Sequence, residues 1–181
     1  MAAEQTPHEF VVLDVETTGL EPSQGDEVIE IAAQKIRGRD KIGEMVTLVK
    51  PSKPMSAEAA AFHSKNGLTE ELLAKDGRPV DQVIPELVAF IGQAGIIAHN
   101  AEFDIGFINA HLAKLGLPPL KNQVIDTLAI ARRYLILPSY KISNVAAYLK
   151  VAQPSAHRAL VDVETTREVF FKLIERARGR K

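Results

Sequence analysis

Cysteine is missing from this 181-residue chain, which excludes disulfides, thiolate zinc sites and cysteine nucleophiles and fits a reducing compartment. The opening MAAEQTPHEF holds no apolar stretch of the signal-peptide kind. No apolar run approaches the roughly 20 residues of a membrane span. The expectation is therefore a cytoplasmic protein with no membrane partner. Net charge is −1, so composition gives no sign of a long nucleic-acid groove, and any grip on phosphate must come from local basic clusters or bound metal. Internal repeats, linkers and low-complexity stretches are absent too. What is present, 46% hydrophobic and 25% charged residues, is a globular composition, at a length that fits one domain with a sizeable core.

Apolar periodicity sets out the elements. Residues 10–16 read as a short buried strand ended by Thr17, Thr18 and Gly19. Val28 to Ile36 and Lys41 to Val49 read as two more, joined into a hairpin by RGRD at 37–40. Residues 56–75 carry helical pieces on either side of Asn66-Gly67. Val83, Ile84, Leu87, Val88 and Ile91 fall at helical spacing, and Pro85 is tolerable there if it lies in the first turn, where a missing N–H has no helical partner to lose. Gly95 to Ala98 makes a fourth strand, and a helix closed by Gly116 follows. Val124-Ile125 is a fifth strand, and further helices span about 127–134, 142–149 and 159–176. Three strands followed by strands alternating with helices predict an α/β fold, a five-stranded mixed sheet flanked by helices. Residues 8–176 would form one domain and 177–181 a basic tail.

Within the first strand, FVVLDVETTGL sets Asp14 and Glu16 in apolar sequence. Side chains alternate along a strand, so both acids point to one side, about 6–7 Å apart. Buried carboxylates need a cation or dense hydrogen bonding; an edge strand whose acids face water is the other reading. In HNAEFD, residues 99–104, Asn100 is a plausible helix cap and Asp104 sits in the first turns, where an acid also suits the helix dipole. In HRALVD, residues 157–162, five residues of helix would turn His157 and Asp162 about 140° apart. A joint role needs His157 on the entering loop and Asp162 about one turn inside. Together these acids suit two hard cations, Mg²⁺ or Mn²⁺. Two such ions about 4 Å apart clamp a scissile phosphate. A neutral imidazole can take the proton of an attacking water.

The blocks DVETTGL, HNAEFDIGF and HRALVD resemble, in order and spacing, the three motifs of the DEDDh exonucleases. The likeness is greatest to the proofreading epsilon subunit of bacterial DNA polymerase III and its stand-alone relatives, and it covers residues 8 to 175. It implies a ribonuclease H-like fold and metal-dependent 3′→5′ hydrolysis of single-stranded or frayed DNA ends, releasing nucleoside 5′-monophosphates in proofreading or repair. By the same resemblance, Asp14, Glu16, Asp104 and Asp162 would bind two metal ions and His157 would be the general base. Thr17, Gly19 and Leu20 would meet the 3′-terminal nucleotide, with Leu20 as an apolar wedge, and Asn100 and Phe103 would border the site. Asp126 matches a commonly occurring acid outside the metal set. FHSKNGLT departs from the His-Gly-Ile-Thr block of relatives, placing Asn66 where the histidine would be, with His63 three residues earlier.

Arg132, Arg133, Lys141 and Arg158 are candidates for phosphate contacts. Two alternatives stand beside this reading: an exoribonuclease of the same mechanism, and a non-catalytic, polymerase-associated module, against which the presence of all five catalytic residues argues. The chain ends soon after its last helix, so a stand-alone enzyme, or one loosely joined to a polymerase subunit, is expected. Oligomeric state has no signature here.

Overall fold

A computed structural model describes residues 9–152 and 158–179. His157, and with it the general-base expectation, lies outside the described residues, as do residue 8 and the last two of the basic tail.

The chain opens with β1 (Glu9–Thr17), β2 (Val28–Arg37) and β3 (Asp40–Leu48), an antiparallel meander. Then come α1 (Ala57–Ser64), α2 (Glu70–Asp76), α3 (Val80–Ile91), β4 (Gly95–Ala98) and α4 (Ala101–Lys114). The chain continues with β5 (Val124–Asp126), α5 (Thr127–Tyr134), α6 (Ile142–Tyr148) and α7 (Ala159–Arg178). The sheet order is β3-β2-β1-β4-β5, with β1, β4 and β5 parallel to one another. The mixed five-stranded sheet is thus as the sequence implies. The last helix runs on to Arg178, two residues past its expected end.

Alternation along β1 sorts the core. Val11, Leu13 and Val15 join α3 and α4 on one side of the sheet, whereas Val12, with Ala32, Ile36 and Ile97, meets Ala159, Val163 and Phe170 of α7 on the other. Asp14 and Glu16 share the parity of Val12 and so face α7. β4 pairs with β1 from Phe10 to Val12 alone, so the carboxyl end of β1 projects beyond its parallel neighbour. Such ends are where open α/β sheets form crevices. Next to it the β1–β2 register slips between Glu16 and Thr17, a bulge that re-aims side chains at the strand end.

Two local expectations change. Pro85 lies in the second turn of α3 rather than the first. Loss of an interior helix bond costs about 3 kcal/mol. The fully buried Val83, Ile84 and Leu87 around it each return about 1.5–3 kcal/mol, so packing outweighs the break. Asn100 occupies the cap position of α4, but its side chain makes no cap bond, and its backbone is left-handed, with φ 68°.

Candidate active site

Three sequence-selected acids converge. Asp14 and Glu16 from β1 and Asp162 from the first turn of α7 offer carboxylate oxygens within 4.8 Å of one another. This is a donor set able to hold a hard divalent cation. Asp162 and Asp104 are both buried. Asp104 enters from the opposite layer, where its Oδ1 accepts a 3.0 Å bond from the Val15 N–H. It is thereby tied to the backbone between the two β1 acids, and its charge acts on Asp14 and Glu16, although it stands outside the group of three within 4.8 Å.

The electrostatics are those of buried, crowded anions. Burial first, then the neighbouring carboxylates of Asp104, Asp162, Glu16 and Glu30, holds Asp14 well above the usual carboxylate range. Burial, then Asp162 and Glu30, pushes Glu16 up to about 7, against the opposing pull of the Arg158 guanidinium. Burial raises Asp104 to about 8, although its backbone hydrogen bonds work in the other direction. Burial and like charge both disfavour ionisation, and a bound cation reverses both effects.

The 17–20 segment forms one rim. Thr17 is buried, and its hydroxyl donates to Gly19 O at 2.6 Å. A Cβ on Gly19 would meet the Asp26 carboxylate, which would have to move to admit a larger residue. Leu20 is 76% exposed, an apolar side chain left in solvent three residues after Thr17. On α4, Phe103 is half-buried and its ring lies 4.9 Å from that of Phe107. Asp126 accepts from the Asn100 and Leu128 N–H groups, both at 2.9 Å; it caps α5, consistent with its place outside the metal set.

Two further residues belong to the site. Glu30, fully buried on β2, is the register partner of Glu16. It accepts from Arg158 Nε at 2.9 and 3.0 Å through its two oxygens, and from the Ala159 N–H at 3.1 Å. It therefore fastens the start of α7, one turn before Asp162. This uses the guanidinium of Arg158, which the sequence offered as a phosphate contact. In VIEIAAQ the only hint is an acid in an otherwise apolar strand.

His63 is the second. It is buried, its Nε2–H donates to Thr17 O at 2.9 Å, and its Nδ1 lies 3.8 Å from Glu16 Oε2. In the variant FHSKNGLT loop, His63 thus touches the carboxylate strand. Sequence offset favoured Asn66, since the helical turn of α1 that brings His63 inward is invisible to it.

Comparison with known proteins agrees with this architecture. The sequence profile of the exonuclease family RNase_T matches residues 11–170. A PolC-type DNA polymerase III of Thermotoga maritima is 40% identical over 166 residues, and that of Halalkalibacterium halodurans 37% identical over 174. The match covers 92% and 95% of this chain and 12% of each polymerase, so the chain spans about an eighth of the length of these relatives. Among solved structures, an exonuclease X in complex with 5′ overhanging duplex DNA superposes with a TM-score of 0.70 at 29% identity, covering 92% of this chain and 91% of that one. E. coli exonuclease I with a dT13 oligonucleotide gives a TM-score of 0.82 at 20% identity over 96% of this chain and 42% of that one, a likeness of fold. On the profile match and the identities together, the chain belongs to the RNase_T exonuclease family.

Proposed function

We propose that the protein is a metal-dependent 3′→5′ exonuclease acting on single-stranded or frayed DNA ends, in proofreading or repair. The observation that carries the reading is the meeting of Asp14, Glu16 and Asp162 within 4.8 Å at the end of a strand to which Asp104 is bonded. Asp14, Glu16 and Asp162 would hold Mg²⁺ or Mn²⁺, two ions per site with Asp104 completing the set. Bound divalent cations supply charge stabilisation for the attacking and leaving oxygens of the phosphodiester.

The chain's own residues do the rest. His157 accepts a proton from the attacking water. The water oxygen bonds to phosphorus, and the bond from phosphorus to the 3′-oxygen of the penultimate nucleotide breaks. A nucleoside 5′-monophosphate leaves, and the released 3′-oxygen takes a proton from solvent, so that the shortened strand keeps a 3′-hydroxyl. Thr17 and Gly19 line the terminal nucleotide, and Leu20, already in solvent, wedges beneath the last base. Asn100 and Phe103 border it from α4. Polymerase association is part of this reading, supported by the PolC-type relatives. No helix among the described residues is long and apolar enough to cross a membrane.

Chromatography of the products from matched DNA and RNA oligonucleotides tests the reading. Deoxynucleoside 5′-monophosphates appearing first from the 3′ end support it. Nucleoside 3′-monophosphates, or internal cuts, contradict it. Preferential release from RNA would move the substrate to oligoribonucleotides and leave the mechanism in place.

A further inference from the structure

Leu20 is exposed, so packing of its own side chain does little to set its direction, and the backbone on either side must set it. Both peptide units that flank Leu20 are pinned by side chains. In the unit before it, Gly19 O accepts from the Thr17 hydroxyl at 2.6 Å. In the unit after it, the Glu21 N–H donates to Asp26 Oδ2 at 2.9 Å. Only φ and ψ lie between two planar peptide units, so holding both planes fixes where the Cα–Cβ bond of Leu20 points. The Asp26 carboxylate also fills the space beside Gly19 that a Cβ there would take. One carboxylate thus braces the residues on both sides of Leu20.

Asp26 is itself held in place. A turn of 3₁₀ helix, Pro22–Gln24, and Gly25, with φ 92°, fold the chain back on itself. Residue 26 thereby returns to residue 21, whose carbonyl accepts from the Asp26 N–H at 3.3 Å. Two bonds close the base of the loop, from Thr18 N–H to Glu27 O at 2.8 Å and from Glu27 N–H to the Thr18 hydroxyl at 2.9 Å. Next to them the Val28 N–H donates at 3.2 Å to Nε2 of His111, a buried residue of α4. The Glu27 carboxylate accepts from the N–H and the hydroxyl of Ser52, at 2.6 and 2.9 Å. The loop is therefore tied to α4 and to the segment after β3, and Asp26 carries that rigidity to the tip. An exposed hydrogen bond adds only modestly to the fold; what this one supplies is a fixed direction for an apolar side chain in solvent.

We propose that Asp26 is a positioning residue: its carboxylate holds Leu20 ready to enter beneath the last base of a paired 3′ end, so that the enzyme rather than thermal fraying alone separates the terminal pair. The inference rests on the exonuclease reading above, with Leu20 as its wedge, and adds the group that makes the wedge stiff. A wedge free to turn would lose its conformational freedom at the moment of insertion, and a braced one has none to lose. A single-stranded end has no pair to separate and makes no such demand.

The test measures kcat/KM in Mn²⁺ for one 5′-labelled DNA strand, free or annealed to a complement that pairs its 3′ end, and takes the ratio of paired to single-stranded activity. Asp26→Ala is expected to lower that ratio roughly fivefold or more through loss on the paired end, with hydrolysis of the single strand largely retained, the sign that the variant folds. Asp26→Asn keeps an acceptor for the Glu21 N–H and should keep most of the ratio. Leu20→Ala should lower the ratio as well, and the variant carrying both alanines should match Leu20→Ala alone, because a brace with nothing to hold adds nothing. An unchanged ratio in Asp26→Ala, equal losses on both substrates, or a further fall in the double variant would overturn the role of Asp26 and leave the nuclease reading in place. If Leu20→Ala leaves the ratio unchanged, the wedge fails and the proposal with it. If the unaltered protein hydrolyses neither substrate, the exonuclease reading itself fails, and the proposal falls with that reading.

Discussion

Glu16 and Glu30 stand opposite each other in the β1–β2 register, yet they serve different partners. Glu16 turns to Asp14 and Asp162, and Glu30 turns to Arg158 and the Ala159 N–H. One acid joins the carboxylate cluster, and its neighbour is paired at the start of the helix that delivers Asp162. The pair therefore couples the carboxylate strand to the position of α7.

Glu30→Ala strips a buried pair of one partner, a change that typically costs about 3–5 kcal/mol, and it removes a helix-start acceptor as well. Chemical denaturation should show a loss of about 3 kcal/mol. Glu30→Gln retains an acceptor for the Ala159 N–H, so it should keep most of the stability while kcat falls at least about tenfold, the effect expected when a supporting group lets a site residue shift. Equal kcat for the Gln variant and the unaltered protein would remove Glu30 from the catalytic account.

Stability of the metal-free protein should depend on pH through the crowded acids. A carboxyl whose pKa rises on folding adds stability below its unfolded value, and that stability fades as pH climbs through the folded value. For Glu16 the window runs from 4.5 to about 7 and for Asp104 from 3.8 to about 8. The rise in Tm produced by saturating Mn²⁺ should therefore grow between pH 5 and pH 8, by at least about 5 °C. Asp14→Asn relieves like-charge repulsion and should raise the metal-free Tm at pH 8 while abolishing the Mn²⁺ response. Differential scanning fluorimetry reads both; a Mn²⁺ shift that is flat in pH would argue against the cluster as its origin.

Much of this site could be read from residue types and spacing, because strand alternation and helix starts place side chains by local rules. Asp14 and Glu16 share a side of β1 as alternation requires, and Asp162 lies one turn into α7. Contacts that depend on tertiary register could not be read. The pairing of Glu30 with Arg158 spans 128 residues, and no local pattern marks it. The bond from Val15 N–H to Asp104 arises because β4 is shorter than β1, a property of sheet assembly. Pro85 is a related case: first-turn placement is the condition helix rules set for it, whereas in the second turn of α3 its tolerance is set by burial of its neighbours.

His63 offers a sharper check of the variant loop. His63→Gln can still donate to Thr17 O, whereas His63→Ala cannot and leaves a buried void. The Ala variant should lower kcat roughly tenfold and weaken Mn²⁺ binding through the freed Thr17–Glu16 segment, with the Gln variant intermediate. Mn²⁺ affinity measured by electron paramagnetic resonance distinguishes this from plain destabilisation, which would leave the affinity of the folded fraction unmoved.

Leu20 is 76% exposed, so its side chain adds little to the fold. Leu20→Ala should change stability by no more than about 0.5 kcal/mol. If it acts as the wedge under the last base, the variant should lose activity on paired 3′ ends while retaining most of it on single strands. Equal losses on both substrates would assign it another role.

The central claim is that the meeting of Asp14, Glu16 and Asp162 is a metal-dependent nuclease centre. Its most direct test is a denaturing-gel time course of 5′-labelled single-stranded DNA with Mg²⁺, Mn²⁺ or EDTA, run beside Asp14→Asn. The account predicts a ladder shortening one nucleotide at a time from the 3′ end in either metal, no ladder in EDTA, and at least a 1,000-fold slower ladder in the variant, about 4 kcal/mol of lost transition-state stabilisation. Intact DNA with folded, Mn²⁺-loaded protein, or an Asp14→Asn variant as active as the original, would contradict it.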